Sequence, residues 1–363
     1  MSDQANTLWT RHAPELRQTF RVVVATGAAF VAYKLLDLQQ GYWAIFTVLI
    51  VMQGSIGGTL GAATERMIGT LAGAILGGIA AALHDGSSAN LGIALIIVTG
   101  LGVLGAAIRP QLRIAPVTAA IMLLSAPPGV PVLSFVIDRI IEIALGGVIG
   151  VLATVLIFPA RSHGVVITRS VAVLRRIQHL LQSEADAIER GEALAPSNEH
   201  PALRQALTSV EQAMKDADRE RASRLASHTI PPSIPRTLWR IRNDLVHIGS
   251  VLNKPLPEAI ISNLAPAAAN LLRAEAAFVG HCATGLNDGT AVSRENVSAI
   301  YLAFTEAFDR SRQAGVTRTL DFDAAGRVFG LAFTLEGLHR DLGDLADRIN
   351  EIAKGKPEQT AAL

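Results

Sequence analysis

The stretch ERMIGTLAGAILGG, residues 65–78, sets an acid and an arginine at the head of a glycine-studded apolar run. DRIIEIALGGVIG, residues 138–150, does so again. Glu65 answers to Asp138, Arg66 to Arg139, Ile68 to Ile141, Gly73 to Gly146 and Gly77 to Gly150, with a spacing of 73 residues throughout. At about 100° per residue, Arg66, Gly73 and Gly77 share one helix face, flanked by Gly69 and Thr70. Arg139, Gly146 and Gly150 repeat that face, with Glu142 where Gly69 stands. Small residues on one stripe let helices approach closely in lipid. An arginine on that stripe, rather than on the lipid side, is costly unless it meets water, an acid or an anion.

The rest of the chain fits a membrane reading. Half of its 363 residues are hydrophobic and 17% are charged. Residues 1–160 hold 15 of the 63 Lys, Arg, Asp and Glu, and residues 161–363 hold the other 48, 24 of each sign. A membrane half therefore precedes a soluble half. A span needs about 20 apolar residues. The pattern predicts six helices, about 18–37, 41–55, 66–84, 90–108, 112–127 and 138–159. The first is short of apolar residues and is extended by the Arg21 and Lys34 stems, whose heads can snorkel to the interface. The second and fifth end in breakers, QGSIGG (53–58) and SAPPGVP (125–131). Tyr42 and Trp43 sit where an interfacial aromatic anchor belongs.

Arg11, Arg17, Arg21, Arg66, Arg109, Arg113, Arg161 and Arg169 fall on one side of these spans, and Lys34 and Arg139 on the other. The bias puts both termini in the cytoplasm of a multi-pass cell-membrane protein (inner or plasma membrane). The polar N-terminus lacks a small-residue cleavage site, so the first apolar helix is expected to remain as an anchor. Three helices per repeat is an odd number, so the repeats, about 18–84 and 90–159, must be inverted. Arg66 is then expected near the cytoplasmic face and Arg139 near the outer face. The breaks correspond too, Gln53-Gly54-Ser55 with Ala126-Pro127-Pro128. Paired interruptions in an inverted repeat point to a transport site.

The stretch YWAIFTVLIVMQGSIGGTLGAATERMIGTLAGAILG, with Tyr42-Trp43, Thr47, Gln53, Ser55 and Arg66-x-x-Gly69-Thr70-x-x-Gly73, resembles the fusaric-acid-resistance family of aromatic acid exporters. The wider relatives of that family include the plant aluminium-activated malate channels. DRIIEIALGGVIGVLATVLIFPAR looks like the family's sixth helix, and FGLAFTLEGLHRDLGDLADRINE is similar to its last cytoplasmic helix. Two departures stand out: Gly54 follows Gln53 where members often carry proline, and many exporters hold two six-helix units in one chain. The resemblance implies a half-size member that moves small organic anions as a homodimer.

The expected architecture is therefore all-α. A cytoplasmic segment (1–17) leads into a six-helix transmembrane domain (18–160) lying in the lipid bilayer, followed by a cytoplasmic helical domain (161–363). Arg66 and Arg139 are the expected anion contacts, with Thr70 beside the first. Gln53 and Ser55 sit at the broken segment, Trp43 offers a stacking surface, and Glu142 is a candidate coupling acid. Gly69, Gly73, Gly77, Gly146 and Gly150 pack helices or thin the wall of a pathway. In the soluble half, Leu331, Leu335, Leu338, Leu342, Leu345, Ile349 and Ile352 form a heptad seam, for a bundle core or a second subunit.

No Walker A loop, G-x-G-x-x-G after a strand or H-E-x-x-H occurs, the nine histidines are scattered, and Cys282 has no disulfide partner. The sequence thus points away from an enzyme, from cofactors or metals, and from nucleic acid as a partner. An exporter of aromatic carboxylates, a passive anion channel and a non-transporting anchor whose cytoplasmic bundle binds a partner all remain compatible with it.

Overall fold

Residues 13–83, 88–125, 131–195, 198–225, 230–261 and 264–354 are described by the computed structural model. Among them the chain is helical throughout, with no strand. Its contacts form two compact units: Met1–Ser162 with Lys215–Ser227, and His163–Met214 with His228–Leu363.

The first unit contains α1 (Ala13–Leu35), α2 (Tyr42–Val51), α3 (Ile56–Leu83), α4 (Ser88–Ile108), α5 (Ala115–Leu124) and α6 (Val132–Leu156). Three stretches, Ile56–Leu83, Asn90–Ile108 and Val132–Leu156, are long and apolar enough to cross a membrane. The apolar helices α2 and α5 have ten residues each. Helix α1 already begins at Ala13, inside the segment expected to precede it. Arg21 does not snorkel. It is buried, and its Nη2 donates to Phe158 O at 2.8 Å, tying α1 to the end of α6.

Two further helix starts differ from expectation. Helix α3 begins at Ile56 rather than Arg66, and α6 at Val132 rather than Asp138. The capping chemistry at the first break explains the earlier start of α3. Ser55 Oγ accepts the Gly58 N–H at 3.0 Å, an N-cap, and Ser162 Oγ accepts the Gly57 N–H at 3.1 Å. The Ile56 N–H donates to Ala160 O at 3.1 Å, and the Gln53 N–H to Thr59 Oγ1 at 3.0 Å. Four amides at the break, those of Gln53, Ile56, Gly57 and Gly58, are thus re-satisfied inside the protein, as apolar surroundings favour. The matching break at Ala126-Pro127-Pro128 lies outside the described residues.

Glycines decide the helix contacts. A Cβ on Gly73 would stand 2.7 Å from Thr118 Cβ, and one on Gly77 2.5 Å from Ala119 O, so α3 lies directly on α5. A Cβ on Gly146 would stand 2.8 Å from Thr47 Cβ, and one on Gly150 3.0 Å from Val51 Cγ2, so α6 lies on α2. Gly69 meets Ile114 in the same way at 3.0 Å. Each long glycine-bearing helix thus packs on the short helix of the other half. Gly146→Ala is expected to lower the melting temperature of the solubilised protein, with overpacking costing about 1–3 kcal/mol. Gly147→Ala, with nothing within 4 Å of its added carbon, should leave it unchanged.

The second unit is built from most of α7 (Ser162–Arg190) and α8 (Glu199–Ala222), with α9 (Ser233–Val251), α10 (Glu258–Ile261), α11 (Ala265–Asp288), α12 (Glu295–Gln313) and α13 (Phe322–Lys354). The heptad seam lies on α13. Leu331, Leu335, Leu338, Leu342, Leu345 and Ile349 are buried, and Ile352 is half-buried. Helix α13 packs against α9, whose Leu238, Ile241, Leu245 and Ile248 are also fully covered. The seam is spent inside its own unit.

Candidate functional site

Arg139 lies about 10 Å along α6, at 1.5 Å per residue from Val132, and is only 3% exposed. Its guanidinium carbon stands 4.1 Å from the Trp43 ring centroid and 5.6 Å from that of Phe135. Trp43 is itself wedged against Tyr42 and Phe46, with centroids 5.6 Å away in both cases. Arg139 Nη2 donates to Gln40 Oε1 at 3.1 Å. Its Nε and Nη1 are buried and make no hydrogen bond among the described residues, and neither does Trp43 Nε1. Stacking on the indole is worth about 2 kcal/mol when desolvated, but it does not satisfy the remaining N–H donors.

Gln40, in the short link between α1 and α2, serves two charges. While its side chain accepts from Arg139, its backbone N–H donates to Glu142 Oε1 at 3.0 Å. Glu142 is 2% exposed and lies one turn beyond Arg139 on the same helix. Sequence reasoning passed over Gln40, and its signal was faint: a glutamine directly before GYW in a link too short to wander.

Arg66, 6% exposed, sits about 15 Å along α3 from Ile56. Its Nε has no hydrogen-bond partner among the described residues, and the same holds for the hydroxyls of Thr70 and Thr47, both fully buried. The two guanidiniums lie within electrostatic reach of one another. Both arginines are interior residues of their helices, because each helix begins earlier than the charges suggested. Two like charges with unspent donors in dry surroundings carry a desolvation cost that an arriving anion would relieve.

The remaining candidates are employed otherwise. Ser55 caps α3, and the exposed Gln53 turns its Nε2 toward Ile50 O at 3.4 Å. Gly69, Gly73, Gly77, Gly146 and Gly150 form the close helix contacts. Glu65, adjacent to Arg66 in sequence, pairs with Arg219 at 3.5 Å. Arg219 also pairs with Asp216 at 3.2 Å and lies over Gly61. A cavity of about 270 Å³ opens there, lined by Thr64, Glu65, Ile68, Gln111 and Arg219 among others. Among the described residues no group of three or more His, Cys, Asp or Glu could hold a metal ion.

Residues 27–153 match the family model described as fusaric acid resistance protein-like. That stretch of the chain is similar to the fusaric acid resistance-like domain. Over 89 residues it is 33% identical to the uncharacterized protein YhfK of Escherichia coli (strain K12), a match covering 24% of this chain and 12% of that protein. The matched stretch runs from within α1 to within α6. Arg66, Arg139, Trp43, Gln40, Glu142 and all five packing glycines fall inside it.

Proposed function

We propose that this protein is a multi-pass membrane transporter that moves organic anions, aromatic carboxylates foremost, out of the cytoplasm, and that it works as a homodimer. The reading takes α1–α3 and α4–α6 as two inverted three-helix repeats spanning the cell membrane, with both termini in the cytoplasm and residues 161–363 forming a cytoplasmic domain. The exchange of partners between the halves, α3 on α5 and α6 on α2, supports the repeat.

One observation carries the functional reading: Arg66 and Arg139, buried within electrostatic reach of each other, keep N–H donors that no acceptor among the described residues uses. A carboxylate is a planar two-oxygen acceptor that matches a guanidinium edge. Its aromatic body finds the Tyr42, Trp43 and Phe46 rings beside it. Thr70 and Thr47 offer hydroxyls with unmet hydrogen-bonding capacity. Glu142 balances Arg139 while the site is empty. Its protonation would free the arginine for substrate, which couples export to a proton gradient. Both arginines are covered, so passage requires an opening motion of the kind a carrier makes.

The test is efflux from proteoliposomes holding the full chain. Benzoate-class anions should leave faster than aliphatic carboxylates of equal charge, and an imposed proton gradient should change the rate. Flux that follows only the anion's own gradient would mark a channel. No flux of any anion from correctly folded protein would favour a packed, non-transporting anchor, a reading supported by the dry glycine contacts.

A further inference from the structure

The second unit holds a cleft of about 720 Å³ that the transport reading does not use. One wall is the start of α8, with His200, Arg204 and Thr208, and the other is the last half of α9, with Arg242, Gly249 and Ser250. Leu194 and Ala195 also line it, with the Leu194 N–H donating to Leu252 O at 2.8 Å. Leu194, Pro201 and Val246 give the walls an apolar part. Gly249 lets the imidazole lie flat against α9: a Cβ there would stand 3.3 Å from His200 Nε2.

The charges are one-sided. No aspartate or glutamate lines this cleft, although residues 161–363 as a whole are balanced in charge. The acids nearest along α8 are engaged elsewhere: Glu199 pairs with Arg176 at 3.2 Å, and Glu211 accepts from Trp239 Nε1 at 2.8 Å. Other arginines of the unit are paired, such as Arg240 with Asp344 at 2.7 Å and Arg273 with Asp186 at 3.0 Å. Among the described residues, Arg204 and Arg242 close no ion pair with an acid, and Arg242 reaches only Asn243 Oδ1 at 3.2 Å. His200 Nδ1 and Arg242 Nε are covered and make no hydrogen bond among the described residues. Two unpaired cations on facing helices, with polar and apolar surface between them, suit an anion that carries an apolar body. The volume is in the range of small-ligand sites and far larger than an inorganic ion needs.

We infer that this cleft is a second binding site for a small organic anion, its charge held between Arg204 and Arg242 and its apolar part against Leu194 and Val246. It rests on the transport reading only in the choice of benzoate as first probe. Binding is measured without transport, so either idea can fail while the other stands.

The experiment is calorimetric titration of benzoate, and separately of inorganic phosphate, into the solubilised full chain. Arg204 is exposed, so Arg204→Gln should leave folding intact, and with Arg242→Gln it should weaken benzoate binding by about tenfold or more. Gly249→Leu, which fills the floor, should weaken it comparably without removing a charge. Arg139→Gln should leave this binding event in place. Benzoate affinity unchanged in both cleft variants would overturn the inference. So would phosphate binding as tightly as benzoate, because the apolar walls would then contribute nothing.

Discussion

Arg139→Gln is expected to reduce aromatic-carboxylate efflux from proteoliposomes by about 100-fold. The guanidinium offers two unused N–H donors, and a charge-assisted hydrogen bond is worth about 1.5–3 kcal/mol. Losing one such bond amounts to one to two decades in rate, and losing the charge adds to it. Arg139→Lys should not rescue the activity. An ammonium is a compact point charge that cannot present two parallel donors while lying flat at 4.1 Å over Trp43. Arg66→Gln should weaken flux as well, by less, since Arg66 has no aromatic platform of this kind. Unchanged efflux and anion preference in Arg139→Gln would remove the anion-site reading altogether. A variant that is folded but inactive toward every anion would keep it.

The second large effect lies in the second unit and concerns pH. Glu275 and Glu184 are both fully buried, and burial first, then the charge of Glu275, adds to the cost of ionising Glu184. Burial pushes the Glu275 carboxyl up to about 7, against an ordinary 4.5, with His339 Nδ1 at 3.5 Å holding it back from rising further. His339 in turn stacks flat on Tyr301, with centroids 4.2 Å apart. Burial likewise raises Glu184 well above the usual carboxylate range and Asp244 to about 6. A carboxyl raised in the folded state favours folding while it stays neutral. Its contribution is whole below pH 4.5, where the unfolded chain is protonated too, and is lost progressively as pH climbs to about 7. At about 1.4 kcal/mol per unit the Glu275 loss comes to about 3 kcal/mol. The melting temperature of the full chain's second unit should therefore fall by roughly 5–10 °C between pH 5 and pH 8. Glu275→Gln should remove most of that slope, and Glu184→Gln part of it. A melting temperature flat across this window in the native chain would contradict the burial argument.

How much of this was readable beforehand differs between the two halves of the problem. The glycine stripe on α3 and α6 follows from helix geometry alone, and it is where the close contacts fall, because a face without side chains is the only one that a neighbouring backbone can approach. The seam on α13 was equally plain, since a four-three alternation of leucines has one buried face whatever covers it. Helix starts were not legible. A charge inside an apolar run looks like a boundary, yet Arg66 and Arg139 are interior residues, and Ser55 and Ser162, distant in sequence, together cap α3. Partners across long separations were hidden for the same reason. Nothing in the chain's local pattern announces that Gln40 meets both Arg139 and Glu142, or that Arg219 reaches Glu65.

Gln40 holds opposite charges with two groups of one residue: its amide oxygen serves the cation and its main-chain nitrogen serves the anion. No rotation of the link between α1 and α2 can release one without disturbing the other. A movement of that link displaces the partners of Arg139 and Glu142 together, whereas a turn of the Gln40 side chain alone frees only Arg139. Under the proposed function, anion capture at Arg139 and proton uptake at Glu142 would then meet at one short link.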